Sequence, residues 1–237
     1  KDFQNLMDVY LDAVFYPVMR ENPQVLMQEG WHYEIESPDE PLTYSGVVYN
    51  EMKGALSAPD DLLESRIMAS LYPDTTYGHE SGGDPEAIPQ LTQEQFVAFH
   101  SRYYHPSNSY IYLYGDMDIE SKLAYLDEEY LAHFDRITVP SQIDRQPAFS
   151  EVVRRSESYP VSADEDTAEK TFLSLNWVTG DSLGAMDMMG LEILEHALLR
   201  TAAAPLRKVL IDAQLGKDVD SSFEDDILQP YFSIVIN

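Results

Sequence analysis

Glu51 is the side chain of this sequence with the clearest potential for chemistry. It lies in the run Tyr44-Ser-Gly-Val-Val-Tyr-Asn-Glu-Met-Lys-Gly54, among small and apolar residues, where a strand-like segment is predicted to turn into a helix. One interpretation is a single metal ligand that one segment contributes to a site built mostly elsewhere. The other is a carboxylate near a helix N-terminus that the helix dipole stabilises. Taken alone, the run favours the second interpretation.

The rest of a catalytic metal site is missing from the sequence. Neither His-x-x-Glu-His nor His-Glu-x-x-His occurs in the 237 residues, and the chain contains no Cys. Thiolate metal sites, disulfides and cysteine catalysis are therefore excluded. The chain starts at Lys1 without an initiator Met or a signal-peptide pattern and stops at Asn237 in a predicted strand. We expect a fragment of a longer polypeptide that carries no catalytic residue of its own.

The remaining histidines and the glycine-rich loop favour structural roles. His100 and His105 are separated by a predicted helix end and do not share a helical face, which favours packing or turn hydrogen bonds over metal binding. His79 is expected to be exposed in its glycine-rich loop, with His79 and Glu80 lining a peptide channel as the alternative. The run Ser81-Gly-Gly-Asp-Pro85 favours a structural turn over an anion-binding site, because no basic residue is close in sequence.

Composition restricts the possible partners. The chain has 15 basic and 42 acidic residues and a formal charge of −27. This charge argues against nucleic-acid binding and against an anionic membrane surface, and no apolar run is long enough to span a bilayer. It would attract cationic peptides, although an acidic composition tuned for solubility is the favoured explanation.

The hydrophobic pattern predicts alternating helices and strands that position these residues. The predicted helices cover residues 3–20, 51–56, 59–71, 93–103, 118–134, 186–199 and 205–213. The predicted strands cover residues 31–36, 47–49, 110–114, 149–158, 171–178, 218–223 and 231–236. No glycine-rich phosphate loop is present, and the strands are too few for a doubly wound nucleotide fold. We predict an α+β fold with helices on one face of a largely antiparallel sheet.

Several motifs in order resemble one enzyme family. These are Leu6-Met-Asp-Val-Tyr-Leu-Asp-Ala-Val-Phe-Tyr-Pro17, Gly46-Val-Val-Tyr-Asn-Glu-Met-Lys-Gly54, Tyr72-Pro-Asp-Thr-Thr-Tyr-Gly78, Ser81-Gly-Gly-Asp-Pro85 and Tyr103-Tyr-His-Pro-Ser-Asn108, followed by Ala204-Pro-Leu-Arg-Lys208 and Leu228-Gln-Pro230. The chain resembles the presequence-protease branch of the pitrilysin-type (inverzincin) zinc metallopeptidases. The resemblance covers nearly the whole chain, and the ordered set is specific where each motif alone is weak.

The resemblance implies a zinc site to which this chain contributes one ligand. In the family a His-x-x-Glu-His helix supplies two imidazoles and the catalytic base, and a downstream Glu completes the set. That role falls on Glu51, with Asn50 as a candidate neighbour that orients it, and the His-x-x-Glu-His helix is expected upstream of Lys1. The resemblance also implies two related sandwich domains, each partly present. The expected division is residues 1–137 from the metal-binding domain, a linker at 138–148 and residues 149–237 from a non-catalytic domain.

The run Glu192-Ile-Leu-Glu195-His196 has the form of the active-site pattern with its first His replaced by Glu. The family's second domain repeats the first without binding metal, and this helix resembles that degenerate copy. Glu192, Glu195 and His196 are therefore expected to be structural.

The function implied is that of a zinc endopeptidase that degrades short unstructured peptides, possibly basic ones, by metal-activated water attack. The alternative is a non-catalytic peptide-binding or assembly subunit of the same fold. A bacterial cytoplasm is favoured over a mitochondrion or plastid, and the oligomeric state is not predicted.

Overall fold

The structure is a computed structural model that describes residues 2–180 and 184–237. The described residues form seven α-helices: α1 (Asp2–Phe15), α2 (Val47–Ala55), α3 (Pro59–Leu71), α4 (Gln93–Tyr103), α5 (Ile119–Glu129), α6 (Ala185–Glu195) and α7 (Pro205–Asp212). They form five strands: β1 (His32–Glu34), β2 (Thr43–Ser45), β3 (Leu173–Val178), β4 (Val219–Glu224) and β5 (Tyr231–Ile236). A π-helical turn at His196–Arg200 follows α6.

Local sequence signals explain where several helices begin. Pro59 occupies the first turn of α3, where its missing N–H costs nothing, and Asp60 and Asp61 lie at the positive end of the helix dipole. At α4, the Gln95 N–H donates to Thr92 Oγ1 at 3.3 Å and the Thr92 N–H donates to Gln95 Oε1 at 2.9 Å. This reciprocal pair is a capping box, which the run Thr92-Gln-Glu-Gln95 predicts from sequence.

The chain divides into two compact units. The first comprises residues up to 53 together with 82–142, and the second comprises residues 54–81 together with 143–237. The core of the first unit is one face of α1 packed on α5 and the residues that follow it; the buried members are Met7, Leu11, Phe15, Leu126 and Tyr130. The helix predicted over residues 3–20 ends at Phe15, because Pro17 cannot continue it.

The second unit is built on a three-stranded antiparallel sheet of order β3-β5-β4. In the strand register, Ile236 of the central strand β5 pairs with Leu173 of β3 on one side and with Val219 of β4 on the other. Both faces of β5 are buried: Ile234 packs against α7 and the π-helical turn, and Tyr231 packs against α3. Helices therefore cover both faces of this sheet, not one as predicted, because β5 presents large apolar residues in both directions.

The predicted α+β class with antiparallel sheets is confirmed, but three predicted strands are wrong. Residues 47–49 are the first turn of α2, and the strand before it is β2. Residues 110–114 and 149–158 form no strand in the described structure. Tyr112 and Tyr114 are 84% and 83% exposed, so the segment is not a buried strand of the core, as its apolar residues would suggest. Apolar, β-prone sequence forms a strand only where a partner strand can accept its hydrogen bonds.

Candidate metal-ligand helix and its surroundings

Helix α2 is held by a close backbone contact just before its first residue and by a buried side chain in its second half. A Cβ at Gly46 would lie 2.2 Å from the Gly30 carbonyl oxygen, so only glycine fits there. The Asn50 N–H donates to the Gly46 carbonyl at 2.9 Å and closes the first turn. Met52 is buried against Gly82, where a Cβ would lie 2.1 Å from the Met52 sulfur. These contacts anchor one face of α2.

Glu51 lies on the exposed face of this anchored helix. It is the fifth residue of α2 and therefore lies beyond the first turn, where the stabilisation of anions by the helix dipole has declined. Glu51 and Asn50 are both exposed. Neither side chain forms a hydrogen bond or ion pair with any other described residue. The structure thus assigns Glu51 no structural partner and weakens the helix-dipole explanation for it.

A metal site is not complete within the described residues. No group of three or more His, Asp or Glu side chains in residues 2–180 and 184–237 is arranged to hold a metal ion. Catalytic zinc requires three protein ligands with one position open. This chain offers one exposed carboxylate from α2, so the residues present do not hold zinc by themselves.

An aromatic cluster on the hairpin before α2 was not found by sequence reasoning. Tyr33 and Tyr44 face each other across β1 and β2 with ring centroids 5.3 Å apart. Trp31 lies edge-on to both rings at 5.5 and 5.8 Å, and Tyr49 of α2 lies 5.9 Å from Tyr44. The Trp31 indole N–H donates to the Leu91 carbonyl at 3.1 Å. The alternation of aromatic residues at positions 31 and 33 was the sequence signal that could have indicated this cluster.

His100 is a buried packing histidine. Its Nε2 donates to the Val14 carbonyl at 3.1 Å, and its Nδ1 accepts from the Arg20 guanidinium at 3.2 Å. The ring stacks on Tyr104 with centroids 4.5 Å apart. Burial and then the nearby Arg20 charge lower the pKa of His100, so the neutral tautomer with hydrogen on Nε2 fits both contacts.

The loop candidates have local roles. His105 Nδ1 accepts the Ser107 N–H at 3.1 Å and caps the short helical turn that follows. His79 is exposed in its loop. In the run 81–85, Gly83 has φ of +98° and Asp84 accepts the Glu86 N–H at 2.8 Å, which is the geometry of a structural turn.

Glu195, in contrast, is held by the protein. It is 5% exposed, and its Oε1 accepts from Arg200 Nε at 3.0 Å and from the Ser221 hydroxyl at 2.9 Å. These bonds tie α6 to the π-helical turn and to β4. Glu192 and His196 are exposed and point to no shared centre with it.

Two of the motifs that carry the family resemblance meet in a buried polar network of the second unit. Tyr72 is fully buried, and its hydroxyl donates to the Gln229 carbonyl at 2.5 Å. Gln146 and Gln229 exchange two hydrogen bonds, and Gln146 exchanges two more with Asp74. Burial raises the pKa of Tyr72, followed by the effects of Tyr231 and Tyr77, so its hydroxyl remains a donor. Sequence reasoning did not connect these segments.

The comparison with protein families decides the membership of the chain. Residues 90–237 match the family model described as the Peptidase M16 inactive domain. The chain belongs to the M16 peptidase family. The matched domain is the type without a catalytic centre, in agreement with a second unit in which Glu195 is buried and partnered.

Curated relatives match along the whole chain. HypA from Clostridium perfringens is 48% identical over 236 residues, covering 100% of this chain and 24% of HypA. Presequence protease 1 (chloroplastic/mitochondrial) from Arabidopsis thaliana is 47% identical, covering 99% and 22%. The mitochondrial presequence protease of Danio rerio is 38% identical, covering 99% and 23%. The predicted resemblance to the presequence-protease branch is confirmed, and the chain spans about a quarter of the length of these relatives.

A solved structure of an M16-like peptidase from Alicyclobacillus acidocaldarius aligns with 84% of this chain and 48% of that one. The TM-score is 0.46 and the identity 18%, too remote to support an argument. Within the described parts of the chain, no helix combines the length and apolar character needed to cross a membrane.

Proposed function

We propose that this chain is part of a zinc-dependent endopeptidase to which it contributes one metal ligand, Glu51. The observation that carries the proposal is the contrast between a helix held by close contacts and a carboxylate on it that has no partner among residues 2–180 and 184–237. A ligand supplied in this way costs little reorganisation on metal binding, because α2 is already held by Gly46 and Met52. Family membership supports the assignment.

The other zinc ligands and the catalytic base lie outside this chain under this proposal. Zinc in such peptidases supplies the Lewis acidity that activates water for attack on a peptide carbonyl. The role of this chain is to present the Glu51 carboxylate from the anchored helix, and Asn50, the preceding residue, is proposed to orient it when the metal is bound. The chain alone is inactive and binds zinc weakly, because one carboxylate is a poor site.

Short unstructured peptides are the proposed substrates, and cationic ones are favoured by the −27 charge. A bacterial cytoplasm remains the proposed location, and the 48% identity to the Clostridium perfringens protein supports a bacterial source. The division into a metal-binding domain to residue 137, a linker at 138–148 and a non-catalytic domain from 149 also stays a proposal.

The test is peptidase activity of the full-length protein with Glu51→Gln. We expect activity to fall by at least about 100-fold, since loss of an orienting partner alone typically costs 10- to 100-fold. Asp61→Asn, an exposed acid at the start of α3, is the matched control and should retain wild-type activity. Unchanged activity in Glu51→Gln would remove Glu51 from the site.

A non-catalytic peptide-binding or assembly subunit is the alternative. It predicts that the coding sequence upstream of Lys1 carries a broken His-x-x-Glu-His, and that the full-length protein binds peptides without cleaving them. An intact His-x-x-Glu-His motif in a full-length protein that shows no peptidase activity with any metal would count against both the peptidase proposal and this alternative.

A further inference from the structure

Residues 110–114 of the first unit have the side-chain pattern of a β-strand. Leu113 packs against the core cluster of α1 and α5, whereas Tyr112 and Tyr114 on either side of it are 84% and 83% exposed. The rings of these two tyrosines stack with centroids 6.5 Å apart and 7° between their planes, so they lie on the same side of the backbone. Alternate side chains therefore lie on opposite sides, with one side on a layer of helices.

The backbone of this segment has no partner in the described structure. None of its N–H or C=O groups is hydrogen-bonded to another residue of 2–180 or 184–237. The run Tyr-Ile-Tyr-Leu-Tyr also contains no charged residue, Pro or Gly, the residues with which native proteins prevent an exposed strand from pairing. A run of β-prone residues without that protection is suited to pair with another strand.

The ends of the segment are held by local contacts. On one side, the Asn108 N–H donates to the His105 carbonyl at 2.8 Å and closes a turn. On the other side, Gly115 has φ of +136°, and a Cβ there would lie 3.4 Å from the Phe3 ring. Together with the packing of Leu113, these contacts position the backbone before any partner arrives, which lowers the entropic cost of pairing.

Charge and chain length select the source of the partner strand. A second copy of this chain would bring another net charge of −27, which disfavours self-association. Another part of the same polypeptide pairs at a high effective concentration. The chain covers 24% of HypA and 22% of the Arabidopsis thaliana presequence protease. The proposed zinc site takes its other ligands from outside this chain, and they must lie beside Glu51, which belongs to the same unit as residues 110–114.

We infer that residues 110–114 pair as a β-strand with a strand from a part of the same polypeptide outside this chain. The pairing itself is argued from the segment, whereas the source of the partner rests on the proposed function. The segment is not a strand within the described residues because its partner lies elsewhere. The new sheet would form the second layer against which α1 and α5 bury their apolar faces.

The test is backbone hydrogen exchange of the full-length protein, measured by mass spectrometry on peptides that cover residues 110–114. Light scattering identifies the monomeric fraction, and no peptide is added. We expect these amides to exchange at least about 100-fold more slowly than the intrinsic rate, because a paired strand must open before it exchanges. Exchange near the intrinsic rate would overturn the inference. So would protection found only in an oligomer, or only after a peptide is added.

Proline substitutions sharpen the test. Adjacent N–H groups of a strand point to opposite edges, so at least one of Ile111→Pro and Tyr112→Pro removes a hydrogen bond between strands. The matched controls Ile111→Ala and Tyr112→Ala keep the N–H. At least one proline variant should exchange about tenfold faster at its neighbouring amides than its alanine control. Proline variants that both match their controls would contradict the pairing. The wild-type measurement decides the question if a proline variant does not fold.

Failure of this inference is separable from failure of the proposed function, because exchange, zinc content and peptidase activity are measured independently. An active zinc enzyme with unprotected residues 110–114 refutes only the strand. A protected segment in a protein that binds no zinc and cleaves no peptide refutes only the peptidase. Glu51→Gln should leave the protection of the segment unchanged, because Glu51 has no contact with it among the described residues.

Discussion

Glu51 and Glu195 are helical glutamates in sequence runs that resemble active-site motifs. Their surroundings in the structure are opposite. Glu195 is buried and accepts hydrogen bonds from Arg200 and Ser221. Glu51 is exposed on an anchored helix and has no partner among the described residues. A carboxylate that accepts hydrogen bonds from its own fold stabilises that fold and has few lone pairs left for a ligand. One that the fold positions and leaves unpaired is available to a ligand.

Removing Glu195 should produce the largest change in stability. Glu195→Ala leaves the Ser221 hydroxyl without its acceptor and breaks the bond to Arg200, at a cost of about 1–3 kcal/mol. The ion pair with Arg200 adds little to this cost, because Arg200 is half exposed and water screens its charge. Hydrogen exchange with mass spectrometry on β4 peptides measures the loss. Glu192→Ala, exposed on the same helix, is the control and should be nearly neutral; equal effects would refute the structural role of Glu195.

His100 should give a smaller effect that depends on pH. Its folded-state pKa lies below the unfolded value of about 6.5, so the neutral form is favoured by folding. The corresponding stability is complete above pH 6.5 and is lost as the pH falls from there through the folded pKa. The protection factors of backbone amides in α1 and α4, which correct for the pH dependence of intrinsic exchange, should therefore fall on acidification in the wild type. His100→Gln should flatten that pH dependence; an identical slope in both proteins would contradict the assignment.

Glu51→Gln should produce the smallest change in stability. An exposed side chain with no partner contributes little, so the unfolding free energy should shift by less than about 0.5 kcal/mol. Denaturant unfolding followed by circular dichroism provides the measurement. A destabilisation as large as that of Glu195→Ala would show that Glu51 has a structural partner, and it would erase the contrast between the two glutamates.

Helices were predictable from the sequence to a greater extent than strands. Pro59 and the Thr92 capping box fix the starts of α3 and α4 through contacts within a few residues, so local sequence is sufficient. The segment 110–114 is rich in residues that favour strands. However, no backbone N–H or C=O in it is hydrogen-bonded to another described residue. A strand depends on a distant partner, and local sequence contains no information about that partner.

The candidate site likewise contains features that local sequence predicts and features that depend on the fold. The identity of Glu51 followed from a motif, but its availability depends on where α2 begins and on the burial of Met52 against Gly82. The helix start was misplaced because the apolar run Val47-Val48-Tyr49 fits a strand as well as a helix turn. The aromatic cluster and the Tyr72–Gln229 network join segments that only the fold brings together.

Metal content of the full-length protein tests the central claim most directly. Wild type, Glu51→Gln and Glu195→Gln are dialysed against zinc-free buffer, and bound zinc is measured by mass spectrometry of the metal. We predict about one zinc ion per molecule in wild type and Glu195→Gln, and a strongly reduced content in folded Glu51→Gln. Full zinc occupancy in Glu51→Gln would contradict the account.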